Sequence, residues 1–322
     1  MKLMIARLLA AALCGSPLAL HAQALAYPNK AVRIVAPFPA GGSADVIPRI
    51  IGEKLSLMWG QPVIVENRAG AAGNIGAEYV FRAEPDGHTL LSSPPPPLII
   101  NPNLYRNLPF DPTLFVPVGI MVAIPNVVLA NPKVPVRSIR ELIAYAKANP
   151  DKLNYASQGS GTTSHLTGEM FKSMAGVRLT HIPYKGSAPA LTDLLAGQVE
   201  MMFDNLGVSR QHVVTGKLKL LAVCSEKRVA SLPDVPALAE ILPGFEAVAW
   251  FGIVAPPRTP MPIAEKISAA VAGVLKLPDV QKRLADLSAE PIGNTPAEMA
   301  AFMKKDAERW REVIRSAGVK AD

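Results

Sequence analysis

PFPAGGSAD, residues 37–45, is the stretch that decides the fold. The residues before it, AVRIVA, read as a short strand, and the apolar residues after it are spaced as on a helix. In the loop between them, Gly41 and Gly42 allow backbone N–H groups to approach a ligand, and Asp45 is placed to cap the helix. The first N–H groups of a helix lack internal partners and carry the positive end of its dipole. The loop is therefore predicted to hold a carboxylate or a phosphate.

Two later loops repeat this arrangement. Residues 157–165, SQGSGTTSH, follow a strand-like segment and precede apolar residues at helical spacing. Residues 184–189, YKGSAP, precede a short helix in the same way. Strands that alternate with helices along the chain indicate an α/β fold with mostly parallel sheets. Because ligands of such folds bind at the carboxyl ends of strands, we expect the three loops to meet in one cleft.

The composition is that of a soluble globular protein, with 322 residues, 49% hydrophobic and 18% charged, and its length favours two domains. The net charge is +7, but the basic residues are scattered, so we expect no nucleic-acid partner. We also expect no cofactor and no metal, since Gly70, Gly73 and Gly76 lack the dinucleotide-binding spacing and no metal-ligand spacing occurs.

Residues 1–26 are predicted to be a secretory signal peptide. Two basic residues precede an apolar run over residues 8–20, and cleavage is expected after Ala24 or Ala26. The residue before Cys14 is too large for a lipoprotein cleavage site, so we expect no lipid anchor. No later stretch has the roughly 18 uninterrupted apolar residues of a membrane helix. The mature protein is therefore expected to be soluble and to lie outside the cytoplasmic membrane.

The single cysteine of the mature chain and a run of prolines each predict local structure. Cys224 is the only cysteine after the signal peptide, so no intrachain disulfide can form, and its strand-like surroundings predict a buried, inert thiol. Residues 94–97 are four prolines in a row. Such a run is expected to be stiff and extended and to offer no backbone donors at this strand end.

The chain resembles the substrate-binding receptors of tripartite tricarboxylate transporters, also called Bug receptors. The resemblance covers essentially the whole mature chain in order. It rests on these segments: PFPAGG with Asp45, VENR to GNIG over residues 65–76, NYAS to His165 over residues 154–165, HIPYKG at 181–186, DLLAGQV at 193–199, Phe203 with Asp204, and WFG at 250–252.

This resemblance implies a two-lobed periplasmic binding protein of type II, a Venus flytrap with two mixed, mostly parallel sheets flanked by helices. The first lobe would hold residues 27–127 and 249–322, and the second residues 128–248. Family ligands are small carboxylates, which are delivered to a membrane permease. We expect the receptor itself to be a monomer.

The resemblance also implies ligand-binding residues on both lobes. In the first lobe these would be Phe38, Gly41, Gly42, Asp45, Ala72 and Gly73. In the second lobe they would be Ser157, Gly159, Ser160, Gly161, Thr162, Thr163, Ser164, Tyr184, Lys185 and Gly186. The predicted set is completed by Ser43, His165 and Asp204. The family usually has small polar residues where residues 94–97 are prolines, so a narrower or more apolar pocket is expected there.

Three of these residues have a second interpretation. His165 is also suited to a structural or helix-capping role, and Lys185 is as well suited to a solvated position as to a carboxylate contact. Asp204 follows an apolar strand, where it would either meet a cationic group of the ligand or cap the next turn.

We predict a receptor for a di- or aromatic carboxylate and no enzymatic activity. One alternative is a secreted serine hydrolase, because Gly41, Ser43 and their neighbours nearly match the G-x-S-x-G elbow, although Asp45 replaces its last glycine. Another is a ligand-sensing partner of a membrane signalling protein, which the sequence does not distinguish from a transport receptor.

Overall fold

Ten strands and nine α-helices alternate along residues 27–319, the part of the chain that the computed structural model describes; the predicted signal peptide lies outside it. The strands are β1 Val32–Ala36, β2 Val63–Asn67, β3 Thr89–Ser93, β4 Val116–Ala130, β5 Asn154–Ser157, β6 Thr180–Pro183, β7 Met201–Asn205, β8 Lys219–Val223, β9 Val248–Ala255 and β10 Glu290–Pro291. The helices are α1 Ser43–Trp59, α2 Asn74–Phe81, α3 Ile139–Ala148, α4 Thr163–Ala175, α5 Ser187–Ala196, α6 Leu206–Val214, α7 Met261–Leu275, α8 Pro278–Asp286 and α9 Pro296–Ala317.

The long strand β4 belongs to two sheets. Up to Pro125 it pairs with β9 and β10, and from Asn126 onward it pairs with β7 and β8. The first sheet has the order β2-β1-β3-β9-β4, and the second continues from β4 through β7 and β5 to β6. Each sheet is flanked by helices, which confirms the two-lobed α/β fold. The division of the lobes at residues 127 and 249 stays a prediction.

Both sheets are mixed, but they contain fewer parallel pairs than the sequence indicated. β1 runs parallel to β2 and β3, and β5 runs parallel to β6 and β7. Every pair that involves β4 or β9 is antiparallel, because these two strands carry the chain between the sheets in opposite directions. In the parallel parts, the strand ends that precede α1, α4 and α5 point toward the same cleft.

The proline run is helical, so the prediction of an extended segment was wrong. Pro95 has φ −51° and ψ −36°, and Pro96–Ile100 form a buried π-helical turn. The fixed φ of proline fits the first turn of a helix as well as an extended chain, and the missing N–H is not needed there. The backbone N–H of Leu98 donates to the carbonyl of Pro95 over 3.1 Å.

Two other predictions can be compared with the structure. Cys224 is fully buried, and burial raises the pKa of its thiol, which confirms an inert position. None of the helices within residues 27–319 is long and apolar enough to cross a membrane.

Candidate ligand-binding cleft

The first-lobe loop is fixed by Asp45, but not as a helix cap. Gly42 occupies the N-cap position of α1, and Asp45 lies one turn further on. Its buried carboxylate accepts hydrogen bonds from the backbone of Gly41 over 3.1 Å, from Arg49 Nε over 2.8 Å and from Asn67 Nδ2 over 2.9 Å. Burial raises the pKa of this carboxyl, but these bonds outweigh burial and lower it below its usual value. Asp45 thus shapes the loop with oxygens that are already engaged.

A second first-lobe segment faces the same cleft. Gly73 has φ +93°, and a Cβ at this position would lie 3.1 Å from the Pro97 ring and 3.2 Å from Phe38. Only glycine therefore suits this close approach. Ala72 also has a positive φ, +49°, and its carbonyl accepts from Asn101 Nδ2 over 3.2 Å.

The second-lobe loop between β5 and α4 uses its hydroxyl groups internally. Thr162 is the N-cap of α4 and donates to the Gly159 carbonyl over 2.7 Å. Ser157 Oγ accepts from the Gly159 backbone over 3.1 Å. Ser164 Oγ accepts from the Gln158 backbone over 3.2 Å and donates to the carbonyl of Phe203. These hydroxyls hold the loop in shape and are buried away from the cleft.

His165 supports the same loop from behind. Its Nδ1 accepts from the backbone N–H of Gly161 over 3.1 Å, and its ring is 7% exposed. Burial lowers the pKa of His165 to about 4, so the ring is neutral at neutral pH. The stabilising role predicted as its alternative therefore fits its position better than ligand contact.

The three residues Tyr184, Lys185 and Gly186 of the third loop differ in their burial and in their contacts. Tyr184 donates its hydroxyl to Asp193 Oδ2 over 2.7 Å, and burial together with this bond raises the pKa of Tyr184 to about 12. Lys185 is exposed at the rim. Gly186 has φ +106°, and a Cβ there would lie 3.3 Å from Pro39 of the first lobe.

Asp204 does not cap the next helix, so that interpretation was wrong. Asn205 is the N-cap of α6 and makes no side-chain cap. Asp204 is fully buried, and its Oδ1 accepts from Gln158 Nε2 over 2.6 Å and from Ser187 Oγ over 2.9 Å. Burial raises the pKa of this carboxyl to about 6. Its burial also keeps Asp204 from direct contact with a ligand in the cleft.

The loops of the two lobes approach each other closely across the cleft. A Cβ at Gly41 would lie 3.8 Å from Ala188 Cβ, and one at Gly42 would lie 3.8 Å from Ser187 Oγ. A Cβ at Gly161 would lie 3.8 Å from Ala72 Cβ. Each of these distances would be an ordinary van der Waals contact for an added Cβ, so the gap between the two loops at these glycines is about one methyl group wide.

Between these loops lies a cavity of about 480 Å³. It is lined by Phe38, Pro39, Ala69, Gly70, Ala71, Ala72, Gly73, Tyr105, Gln158, Gly159, Ser160, Pro183, Tyr184, Lys185 and Gly186. A gap of about 20 Å³ shares several of these walls and reaches further in, to Gly42, Ser43, Pro94, Ser187, Asn205 and Phe251. Among the described residues that line the cavity, Lys185 alone is charged.

The structure therefore brings part of the predicted set to the cleft. Phe38, Ala72, Gly73, Gly159, Ser160, Tyr184, Lys185 and Gly186 line the cavity, and Gly42 and Ser43 line the inner gap. Gly41 and Gly161 lie where the loops of the two lobes approach each other. The remaining predicted residues are buried behind the loops: Asp45, Ser157, Thr162, Thr163, Ser164, His165 and Asp204.

Several lining residues were not predicted. Gln158 and Pro39 stand inside the loops that the sequence singled out, so loop membership was a usable signal for both. Tyr105 comes from a segment after the proline run in which nothing pointed to a ligand.

Comparisons with known proteins agree with this architecture. The sequence profile of the tripartite tricarboxylate transporter family receptors matches residues 47–319. The structure of Rpa4515 of Rhodopseudomonas palustris with adipate is 37% identical and has a TM-score of 0.89, covering 91% of this chain and 99% of that one. The periplasmic binding protein BugD is 39% identical, with a TM-score of 0.87 and the same coverage of both chains.

A third structure, MatC of Rhodopseudomonas palustris with bound malate, is 33% identical and has a TM-score of 0.83. It covers 89% of this chain and 100% of its own. Receptors of this family are periplasmic solute-binding proteins, and the Rpa4515 and MatC structures hold the carboxylates adipate and malate. The chain described here belongs to the tripartite tricarboxylate transporter receptors, the Bug family.

Proposed function

We propose that this protein is a periplasmic receptor that captures a small di- or aromatic carboxylate between its lobes and delivers it to the membrane permease of a tripartite tricarboxylate transporter. The observation that carries the proposal is the meeting of three glycine-containing loops, each near the start of a helix, around one cavity of about 480 Å³. Backbone N–H groups and the positive ends of helix dipoles at such a site favour a carboxylate.

The cavity walls support a ligand with an apolar body. Phe38, Tyr105 and Tyr184 contribute rings, and Pro39 and Pro183 contribute apolar edges. Lys185 at the rim adds one positive charge. A carboxylate that accepts two or three hydrogen bonds gains about 1.5 to 3 kcal/mol from each. Two such carboxylates, one held by each lobe, give roughly micromolar affinity once the cost of lobe closure is subtracted.

Binding without turnover is the activity that we propose. The hydrolase alternative requires a base beside Ser43, and within residues 27–319 no histidine bonds to this hydroxyl. Ser157 Oγ lies 2.6 Å from His181 Nε2, so these residues form the serine–histidine pair that a hydrolase would need. Ser157, however, is fully buried behind the loop. We further propose that the receptor acts as a monomer and that the predicted signal peptide directs it to the periplasm.

Thermal unfolding tests the proposal. The purified protein, refolded to remove any carried-over ligand, is heated with mono-, di-, tri- and aromatic carboxylates and with the corresponding amides. A ligand that binds only the native state raises the melting temperature with concentration. We expect such a shift for one class of acid and none for its amides; no shift with any acid would contradict the proposal.

Two further experiments separate the alternatives. A serine hydrolase would cleave ester substrates, and Ser43→Ala would abolish this activity. A sensing role would be indicated if the liganded protein captured a membrane kinase instead of a permease.

A further inference from the structure

The side chain of Gln158 occupies the junction of the cleft. It lines both the large cavity and the inner gap, and it belongs to the second-lobe loop between Ser157 and Gly159. The role that we assign to Gln158 rests on the proposed function, because this role concerns which carboxylates the cleft selects.

Both hydrogens of the Gln158 amide are engaged on its buried side. Nε2 donates to Asp204 Oδ1 over 2.6 Å and to Asn205 Oδ1 over 3.0 Å. An ionised carboxylate can only accept hydrogen bonds, so Asp204 requires the nitrogen of the amide, and not its oxygen, to face it.

A chain of buried hydrogen bonds fixes the same orientation from the other end. Asn205 Nδ2 donates to Asn126 Oδ1 over 2.7 Å, and Asn126 Nδ2 donates to Thr167 Oγ1 over 2.7 Å. The Thr167 hydroxyl in turn donates to the backbone carbonyl of Thr163 over 2.6 Å. A carbonyl can only accept, so the direction of every bond back to Gln158 follows from it.

The oxygen of the Gln158 amide is therefore the atom left for the cleft. Within the described part of the chain, Gln158 Oε1 has no hydrogen-bond partner, and it is not among the polar atoms that burial leaves unsatisfied. It is thus open to the cavity that the side chain lines. A ligand carboxylate placed against it would meet oxygen against oxygen, whereas a hydroxyl or amino group would donate to it.

We infer that Gln158 is a specificity-determining residue that accepts a hydrogen bond from the ligand, so that the receptor prefers carboxylates carrying a hydroxyl or amino group to the same acids without one. A ligand that lacks the donor leaves Oε1 cut off from water without a partner when the lobes close, and it binds more weakly for that reason.

Isothermal titration of the refolded protein with matched acids tests this inference. One series is succinate, malate and aspartate, and the other is benzoate, 3-hydroxybenzoate and 3-aminobenzoate. We expect at least one substituted acid to bind about three- to tenfold more tightly than its parent. Equal affinity of parent and substituted acids throughout both series would overturn the inference while leaving the proposed function intact. Failure of every carboxylate, including those of the thermal panel, would overturn both.

Variants test whether Gln158 causes the preference for substituted acids. Gln158→Met keeps the length of the side chain but removes the acceptor together with the donor to Asp204 and Asn205, and we expect it to bring the ratio between substituted and parent acids close to one. Gln281→Met, on the exposed side of α8, is the matched control and keeps the wild-type ratio. A Gln158→Met protein that retains the full preference would contradict the assignment. The wild-type comparison does not require a variant, so equal affinities there would overturn the inference even if this substitution impairs folding.

Discussion

The imidazole rings of His165 and His181 stack with their centroids 4.0 Å apart and their planes 13° apart. The two rings lie directly beneath the second-lobe loop of the cleft. His165 Nδ1 accepts from the backbone of Gly161, and His181 Nε2 lies 2.6 Å from Ser157 Oγ, which already accepts from Gly159. Among the described residues, His181 Nε2 is the acceptor in reach of the Ser157 hydroxyl, so the hydroxyl hydrogen is assigned to it. Each histidine thus offers the loop a nitrogen that carries no proton.

The stacked pair should show opposite tautomers. We expect His165 to be protonated on Nε2 and His181 on Nδ1, and both to be neutral from pH 6 to 8. Burial lowers the pKa of His165 to about 4 and that of His181 to about 3. Nitrogen-15 NMR of the two imidazoles measures tautomer and charge directly. The same tautomer for both rings, or a charged ring at pH 6, would contradict this interpretation.

The same pair should make stability depend on pH. A histidine with a pKa near 6.5 in the unfolded chain takes up a proton below that pH, whereas the folded chain does not until about pH 4. The contribution of the neutral, buried histidines to the free energy of unfolding is therefore complete above pH 6.5. It is lost as the pH falls from about 6.5 toward 4. We expect the loss of unfolding free energy between pH 7.5 and 5 in denaturant titrations to be smaller in the His165→Gln, His181→Gln double variant. His212→Gln on α6 is the control, and an unchanged profile in the double variant would argue against the prediction.

Asp45 is expected to stabilise the first-lobe loop through its carboxylate. Asp45→Asn replaces an acceptor of three hydrogen bonds by a group that also carries donors, so we expect a loss of about 1 to 3 kcal/mol of unfolding free energy and weaker ligand binding. Asp286→Asn, exposed on α8, should change the unfolding free energy by less than about 0.5 kcal/mol. Chemical denaturation of both variants makes the comparison; equal stabilities would refute the role given to Asp45.

Closure of the lobes should be measurable with a disulfide. A Cβ at Gly42 would lie 4.0 Å from Ser187 Cβ, within the roughly 3.5 to 4.5 Å that a disulfide spans, and the φ of −90° at Gly42 accepts a side chain. In a Gly42→Cys, Ser187→Cys variant we expect the ligand to accelerate disulfide crosslinking. The crosslinking is measured by gel mobility and by mass spectrometry of the remaining free thiols. A Gly60→Cys, Ser187→Cys variant is the control, because Gly60 lies at the other end of α1. A rate that is independent of ligand would speak against closure around it.

The sequence predicted the cleft loops because glycines and small residues at strand-to-helix junctions are a local signal. It did not predict which way the side chains turn. Ser157, Thr162 and Ser164 have the composition of a ligand-binding loop, yet each hydroxyl bonds within its own lobe. The direction in which each hydroxyl turns depends on partners such as the Phe203 carbonyl, which come from other parts of the chain.

The first half of β4 could not be recognised from its residues. Pro117, Gly119 and Pro125 interrupt the strand pattern, and the pairing with β9 shifts between Pro117 and Gly119. Proline and glycine are tolerated at such irregularities, and the pairing with β9 continues across them. Helix α6 was missed for a related reason: its sequence, LGVSRQHVV, has no regular apolar stripe.

Titration calorimetry on the Gly42 variants tests the central claim, that a carboxylate binds where the loops of the two lobes meet. The carboxylate that shifts the melting temperature most is titrated into the wild type, Gly42→Ala and Gly42→Leu. A methyl group at Gly42 fits at 3.8 Å from Ser187 Oγ, whereas a leucine side chain would hold the loops apart. We predict that Gly42→Ala binds like the wild type and that Gly42→Leu, with an unchanged fold, binds at least about tenfold more weakly. Wild-type affinity in Gly42→Leu would contradict the claim.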